Sequence, residues 1–272
     1  MAACVGGQVG RGWIDFHIHL DFPAFDDDRE AVVSAAIAAG VEDFIVPAVT
    51  RERWSRLASL SSRFGWHPAY GLHPCFGQHH HPSDVEALEA WLDDHPEAIA
   101  VGEIGLDGAR PDQAEQAKRL TAQLAIARQY GLPVILHAHR ALETVLLHLR
   151  EHVRAGGVGG VVHAFSGSDV QLDRLLDLGF SIGVGGPVTY PRAARLRRQV
   201  ARVPADRLLL ETDAPDQPLR GHQGQRNVPA QVAKVAAVVA ALRDEPEASL
   251  MTAQRLNLAA LGDGRHHRQT RA

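Results

Sequence analysis

Short apolar runs alternate with longer amphipathic stretches along the chain, and this alternation restricts the fold more than any other feature of the sequence. Short β-branched or apolar runs are typical of buried strands, whereas apolar residues spaced three and four apart indicate helices. Eight strand–helix units follow one another in series. Such a series predicts a parallel sheet, because parallel strands need a long crossover connection and a helix usually supplies it.

The number of units and the chain length favour a closed barrel. Eight units within 272 residues match the roughly 250 residues of a (β/α)8 TIM barrel. A doubly wound open sheet is the alternative, because periodicity alone does not close a barrel. We expect one domain over 13–261, with a flexible N-terminus over 1–12 and a disordered tail over 262–272. The predicted strands are 13–16, 44–49, 69–72, 98–103, 133–136, 161–162, 180–184 and 208–210.

The predicted helices follow these strands in order. Ser83 and Glu86 have the spacing of a capping box and predict the start of one of them. The helices are 28–39, 51–63, one from 83, 113–130, 142–152, 170–178, one through 196–200, 229–242 and 248–261.

Composition limits the partners and the compartment. The formal net charge of -4 argues against a broad basic surface for nucleic acid, so a phosphodiester would have to be recognised locally. The two cysteines, Cys4 and Cys75, do not form a disulfide framework, which fits a reducing cytoplasm. Neither a secretory signal nor an apolar run of roughly 20 residues is evident. We therefore expect a cytoplasmic monomer without a membrane or an obligate protein partner.

Potential metal ligands stand at the carboxyl ends of five predicted strands. His17 and His19 follow the first strand two residues apart, and residues with this spacing in an extended segment point to the same side. Because a barrel places its active site at the carboxyl ends of its strands, the ligands from all five strands would converge there. The predicted metal centre consists of His17, His19, Glu103, His137, His163 and Asp213.

This set of side chains also indicates the chemistry. Imidazole and carboxylate suit Zn²⁺, Mn²⁺, Ni²⁺, Co²⁺ or Fe²⁺, and the sequence does not distinguish Zn, Mn, Mg, Ni or Co. Six ligands exceed the three that a hydrolytic zinc ion uses, so we predict two divalent ions bridged by Glu103. Such a pair lowers the pKa of bound water from 15.7 to about 7. Asp213 would orient the water and accept its proton, which makes Asp213 and Glu103 the candidate catalytic residues.

The motifs around these residues resemble TatD-type metal-dependent hydrolases, a branch of the amidohydrolase-like barrels. The resemblance covers about 13–261, nearly the whole chain. A further segment, PLRGHQGQRNVP (218–229), is similar to the YjjV-like branch. The other matching segments are DFHIHLD (15–21), GLHP (71–74), GEIGLD (102–107), LPVILHAH (132–139), VVHAFSGS (161–168), FSIGVGGPVTYPRA (180–193) and LLLETDAP (208–215).

The resemblance implies both ligand roles and an activity. His17 and His19 would bind one ion with help from Asp213, Glu103 would bridge, and His137 and His163 would complete the second site. The implied activity is phosphodiester hydrolysis, in the form of a 3'-5' exonucleolytic deoxyribonuclease. Deacylation of mischarged tRNA has also been proposed for some relatives.

The sequence departs from the family pattern at the expected phosphate contact. The family often has arginine two places after the fifth-strand histidine, and here that place is His139 with Arg140 beside it. His73, His139 and Arg140 are the candidate substrate contacts. The usual cysteine after the sixth-strand histidine is Ala164, and the loop after Asp107 is short.

Several residues keep two interpretations. Asp15 either supports a ligand histidine or simply ends its strand. Four arginines after Pro191 form either a solvated helix face or a phosphate track. The three consecutive histidines at 79–81 are expected to be exposed. The four arginines are Arg192, Arg195, Arg197 and Arg198.

The function hypotheses fall into different classes. The leading one is a two-metal phosphodiesterase acting on DNA ends. The same centre suits a metal-dependent amide or ester hydrolase, such as a D-aminoacyl-tRNA deacylase. A non-catalytic metal-binding protein is the third hypothesis, and the complete ligand set argues against it.

Overall fold

A computed structural model describes residues 12–263 of the protein. Eight parallel strands are hydrogen-bonded in chain order, each to the next. They are β1 (Trp13–Asp15), β2 (Val41–Pro47), β3 (His67–Tyr70), β4 (Ala100–Asp107), β5 (Val134–His139), β6 (Gly160–Val162), β7 (Ser181–Val184) and β8 (Leu208–Leu210).

Helices follow the strands along the described chain. Short 3-10 segments precede or replace the first turn of several of them, as at Pro229–Gln231. The α-helices are α1 (Arg29–Ala38), α2 (Trp54–Phe64), α3 (Asp84–Asp94), α4 (Gln113–Tyr130), α5 (Leu142–Arg154), α6 (Asp169–Asp177), α7 (Ala194–Arg202), α8 (Val232–Arg243) and α9 (Glu247–Asp263).

A backbone contact closes the sheet into a barrel. Just beyond β1, the amide of Phe16 donates to the carbonyl of Leu210 in β8 at 2.9 Å. The predicted single-domain (β/α)8 TIM barrel is therefore confirmed, and the open-sheet alternative is wrong. The predicted segments 1–12 and 262–272 lie outside the described residues except at their inner edges, where α9 continues to Asp263.

Alternate strand residues pack in two separate clusters. Ile135 in β5, Val161 in β6 and Leu209 in β8 belong to a small cluster built almost wholly from strand residues. Their strand neighbours, such as Val134 and Leu210, pack in a larger cluster together with helix residues. This division is expected when one face of each strand lines the barrel and the other meets the helices.

The same alternation explains where the site lies. His137 stands two residues after Ile135, and His163 stands two residues after Val161. These histidines therefore follow the residues that line the interior of the barrel. The apolar cluster forms a floor, and the polar side chains come above it at the carboxyl ends of the strands.

Two local predictions hold only in part. The helix α3 begins directly after Ser83 as predicted, but the Ser83 side chain does not cap it; its Oγ contacts His81 Nδ1 at 2.8 Å, and Asp84 Oδ2 accepts from the His81 amide instead. A capping box is found at α6, where Ser168 precedes the helix. The three histidines of 79–81 are not uniformly exposed, because His80 is half-buried and its Nε2 lies 2.8 Å from the carbonyl oxygen of His73.

None of the helices within residues 12–263 is both long enough and apolar enough to cross a membrane.

Candidate metal centre

The fold brings all six predicted ligands together at one mouth of the barrel. They come from five strands: two just after β1, one within β4, one within β5, one directly after β6 and one after β8. Four of the six are buried, and the side chains of His137 and Asp213 are 16% and 13% exposed. The six are His17, His19, Glu103, His137, His163 and Asp213.

One oxygen of Glu103 faces the two histidines that follow β1. Glu103 Oε2 lies 3.1 Å from His17 Nε2 and 3.4 Å from His19 Nε2. These two nitrogens are 3.3 Å apart, and each is 3.6 Å from Asp213 Oδ1. The four atoms form one compact set of nitrogen and oxygen donors.

The other oxygen of Glu103 faces a different pair of imidazoles. Glu103 Oε1 lies 2.8 Å from His163 Nε2 and 3.2 Å from His137 Nδ1, and these two nitrogens are 3.4 Å apart. The Glu103 carboxylate thus stands between two donor sets, with one oxygen in each.

These distances fit divalent cations. Ligand atoms that share an ion at the usual bond lengths lie roughly 2.9–3.6 Å from one another. Glu103 Oε2 is also buried with no hydrogen-bond partner among the described residues, although two imidazole nitrogens lie within 3.4 Å. A buried carboxylate oxygen without an aligned donor is costly unless a cation compensates it. The donor set therefore fits metal binding better than a hydrogen-bonded cluster.

Burial of further carboxylates supports the same conclusion. Burial raises the pKa of Glu211 to about 8 and that of Asp213 above its usual range. Several carboxyl groups in a small buried volume repel one another when charged. Bound cations would offset that repulsion.

Contacts on the far side of the rings hold two ligand histidines in place. His137 Nε2 lies 3.1 Å from Asp107 Oδ2, and His19 Nδ1 lies 3.2 Å from the carbonyl oxygen of Pro47. A metal-binding histidine usually donates its other ring N–H to such an acceptor, which fixes the ring orientation. Asp107 also holds its own loop, because its Oδ1 accepts from the Ala109 amide at 2.8 Å.

The tautomer of His73 follows from its two contacts. His73 Nδ1 accepts a hydrogen bond from the Cys75 amide at 3.0 Å, so the ring proton lies on Nε2. His73 Nε2 then donates to Glu103 Oε1 at 2.8 Å. Burial lowers the pKa of His73 to about 4, which keeps the ring neutral in this arrangement.

The cavity above the centre has a volume of about 500 Å³. The predicted substrate contacts His73 and His139 both line it, whereas Arg140 is exposed and does not. Sequence reasoning missed its aromatic walls, because Phe22, Phe76 and Phe165 lie in loops with no periodic pattern. The four arginines near α7 include Arg195, which donates to the carbonyl of Ser166 on the cavity wall at 2.8 Å.

A barrel that presents histidines and carboxylates in this way defines the class of metal-dependent hydrolases built on a TIM barrel. The chain belongs to the TatD family, because the profile of TatD-related DNases matches residues 14–261. The expected family, its YjjV-like branch and the expected enzyme class are confirmed. This result favours the hydrolase over the non-catalytic alternative.

Individual relatives agree with this assignment. The chain is 45% identical over 238 residues to the uncharacterized metal-dependent hydrolase YjjV of Escherichia coli K12, covering 86% of this chain and 91% of that protein. It is 34% identical over 246 residues to the 3'-5' ssDNA/RNA exonuclease TatD of Erwinia billingiae, covering 86% and 93%.

Solved structures show the same fold. The crystal structure of Escherichia coli YjjV superposes with a TM-score of 0.88 at 44% identity, covering 93% of this chain and 98% of that one. A TatD family hydrolase from Entamoeba histolytica superposes with a TM-score of 0.79, covering 93% and 98%, and its 18% identity supports the fold alone.

Proposed function

We propose that the protein is a two-metal phosphodiesterase that removes nucleotides from the 3' end of single-stranded DNA. The observation that carries the proposal is the position of Glu103, whose two oxygens each face a separate pair of imidazole nitrogens at 2.8–3.4 Å. A carboxylate in this position suits a bridge between two ions.

Each donor set would hold one ion. His17, His19 and Asp213 would hold the first, and His137 and His163 the second, with Glu103 shared between them. Divalent ions bound there would polarise a phosphoryl oxygen and make water acidic enough to serve as a nucleophile near neutral pH.

We infer that Asp213 acts on a proton of that water. Its Oδ1 faces His17 and His19, while its Oδ2 accepts a hydrogen bond from Gln217 Nε2 at 2.6 Å. The side chain also reaches the cavity. One oxygen is thus held by Gln217, while the other remains beside the two histidines. Asp213 would orient the attacking water and accept its proton.

A phosphodiester matches the rest of the chain. A net charge of -4 provides little general attraction for nucleic acid, so affinity has to come from the centre and the cavity walls. Relatives that are 32–37% identical carry the name 3'-5' ssDNA/RNA exonuclease, which supports a single-stranded substrate.

The test compares substrates and one pair of variants. Metal-loaded protein is incubated with single-stranded DNA labelled at either end, single-stranded RNA, duplex DNA, a simple phosphodiester and a D-aminoacyl-tRNA. We expect stepwise loss of nucleotides from the 3' end of single-stranded DNA, abolished by a chelator. Asp213→Asn should lose roughly 10²- to 10⁴-fold in kcat.

Asp206→Asn is the matched control, because Asp206 lies in the exposed 3-10 turn at the opposite end of β8. It should retain wild-type turnover. Equal turnover by Asp213→Asn and wild type would contradict the role of Asp213. Hydrolysis of the aminoacyl ester without any cleavage of DNA would contradict the nuclease proposal and support a deacylase instead.

A further inference from the structure

The apolar wall of the cavity contains two phenyl rings from different loops. Phe22 follows β1, and Phe76 lies in the 3-10 segment Pro74–His79 after β3. Both rings are partly exposed, and their centroids are 6.4 Å apart with an interplanar angle of 79°. The two residues therefore form a continuous aromatic corner beside the candidate metal centre.

The Phe22 ring already has two partners. His19 stacks on it with centroids 4.6 Å apart and an interplanar angle of 22°. The guanidinium carbon of Arg53 lies 4.8 Å from the ring centroid. Phe22 is therefore already engaged by an imidazole and by a guanidinium group.

Phe76 differs from Phe22 in this respect. The rings of Phe22, His73 and His79 lie 5.6–6.4 Å from it, and all three are perpendicular or tilted. Within residues 12–263 no aromatic ring is stacked parallel on Phe76. Because Phe76 is partly exposed and lines the cavity, a planar group that enters the cavity can approach its ring.

The backbone around Phe76 is fixed before any ligand arrives. The Phe76 amide donates to the carbonyl of His73 at 3.1 Å, and His80 Nε2 contacts the same oxygen at 2.8 Å. His73 itself is tied to the Cys75 amide and to Glu103. A loop backbone held in this way loses little conformational entropy when a ligand binds, which favours the use of Phe76 as a platform.

The ring also lies close to the place where a phosphate would react. His73 donates to Glu103 at 2.8 Å, and its ring centroid is 5.6 Å from that of Phe76. Only one side chain thus separates the phenyl group from the proposed bridging carboxylate. A nucleobase joined through one sugar to a phosphate at the centre would reach this wall.

We propose that Phe76 forms a nucleobase-binding subsite. The unpaired base of the 3'-terminal nucleotide, next to the scissile phosphate, stacks on it. The inference rests on the proposed function and names a feature of the substrate that the same site recognises. Stacking on an aromatic face accepts every base, so the subsite favours single strands over duplex ends without reading sequence.

The test uses Phe76→Ala, Phe76→Trp and two single-stranded substrates that differ only in the base at the 3' terminus. One substrate is complete, and the other has an abasic 3' nucleotide. On the complete substrate we expect Phe76→Ala to raise KM by about 5- to 150-fold with kcat nearly unchanged. Phe76→Trp should restore the wild-type KM, and neither substitution should change KM for the abasic substrate.

Phe64→Ala is the matched control, because Phe64 is a partly buried phenyl on α2 that does not line the cavity. It should not change KM for either substrate. Equal losses by Phe76→Ala on the complete and abasic substrates would overturn the inference, as would no loss on either.

A binding measurement separates this inference from the proposed function. Metal-loaded wild type and Phe76→Ala are titrated with dAMP and with deoxyribose 5-phosphate. If the wild type does not cleave DNA, the nuclease proposal fails. A preference for dAMP that disappears in Phe76→Ala still supports the subsite, and equal affinity of the wild type for both ligands overturns it.

Discussion

Asp15 accepts two hydrogen bonds from Thr212, one from its amide nitrogen at 2.9 Å and one from its hydroxyl at 2.6 Å. Asp15 ends β1 two residues before His17, and Thr212 stands directly before Asp213. The pair therefore joins the first and last strands of the barrel at their carboxyl ends, where both strands are followed by candidate ligands. The Asp15 carboxylate also accepts from the backbone amide of His17 at 3.4 Å, so its contact with a candidate ligand is with the main chain and not with an imidazole.

Thr212→Val should destabilise the protein. The substitution keeps the shape of the side chain but removes the hydroxyl, so a buried oxygen of Asp15 loses its partner. We expect a loss of about 1–3 kcal/mol in the free energy of unfolding, measured by urea denaturation of metal-free protein. Thr252→Val on the exposed face of α9 is the control, and it should change stability by less than about 0.5 kcal/mol. Equal effects of the two substitutions would contradict this account.

Glu103→Gln should reduce metal binding at both proposed sites. The amide keeps the size of the side chain but removes its charge and turns one ligand oxygen into a hydrogen-bond donor. We expect fewer than one retained ion per chain, measured by elemental analysis after dialysis against buffer without added metal. Glu115→Gln changes an exposed carboxylate on α4 and should leave the metal content as in wild type. Retention of two ions by Glu103→Gln would contradict the proposal that Glu103 bridges them.

Asp107→Asn should weaken only one of the two ions. Asp107 Oδ2 contacts both His137 Nε2 and Cys75 Sγ at 3.0–3.1 Å, and an asparagine has one oxygen fewer for these donors and the Ala109 amide. We expect a fall of about 10- to 100-fold in affinity for the ion beside His137, with the ion beside His17 unchanged. Competition with a chromogenic chelator resolves the two affinities. A uniform loss at both sites would show that Asp107 acts on the fold and not on His137.

Gly105→Ala should be far more damaging than Gly131→Ala, although both glycines have positive φ. A β-carbon at Gly105 would lie 2.0 Å from the carbonyl oxygen of His137, whereas one at Gly131 would meet nothing within 4 Å. We expect Gly105→Ala to cost more than about 3 kcal/mol of unfolding free energy. Gly131→Ala should cost only about 1 kcal/mol for its left-handed backbone. Thermal and urea denaturation compare the two, and similar losses would refute the close approach of β4 to β5.

The regular parts of the fold and the ends of its strands were predictable from the sequence. The predicted α4 and β8 coincide with Gln113–Tyr130 and Leu208–Leu210. Both are strongly patterned segments bounded by clear breaks. The strand-end positions of the six predicted ligands also followed from the pattern, because a parallel barrel gathers the carboxyl ends of its strands on one face.

The extent of β4 was not predictable. The prediction ended it at Glu103, but the strand continues to Asp107 and all of its residues are buried. Glycines and carboxylates usually mark the end of an apolar run, and here they occur inside the strand. Gly105 allows β5 to approach closely, and Asp107 pairs in register with His139. A local sequence pattern does not show that contacts with a neighbouring strand compensate for such residues inside β4.

The contacts made by loops were also not predictable from the sequence. The ring tautomer of His73 depends on the Cys75 amide, and the position of Phe76 beside Phe22 in the cavity wall depends on how two loops meet. Neither loop carries a periodic pattern that would fix the direction of a side chain.

Anomalous diffraction from crystals of the metal-loaded protein tests the central claim most directly. We expect two peaks about 3.5–4 Å apart, one beside His17 and His19 and the other beside His137 and His163, with Glu103 contacting both. A single peak, or two peaks of which only one contacts Glu103, would contradict it.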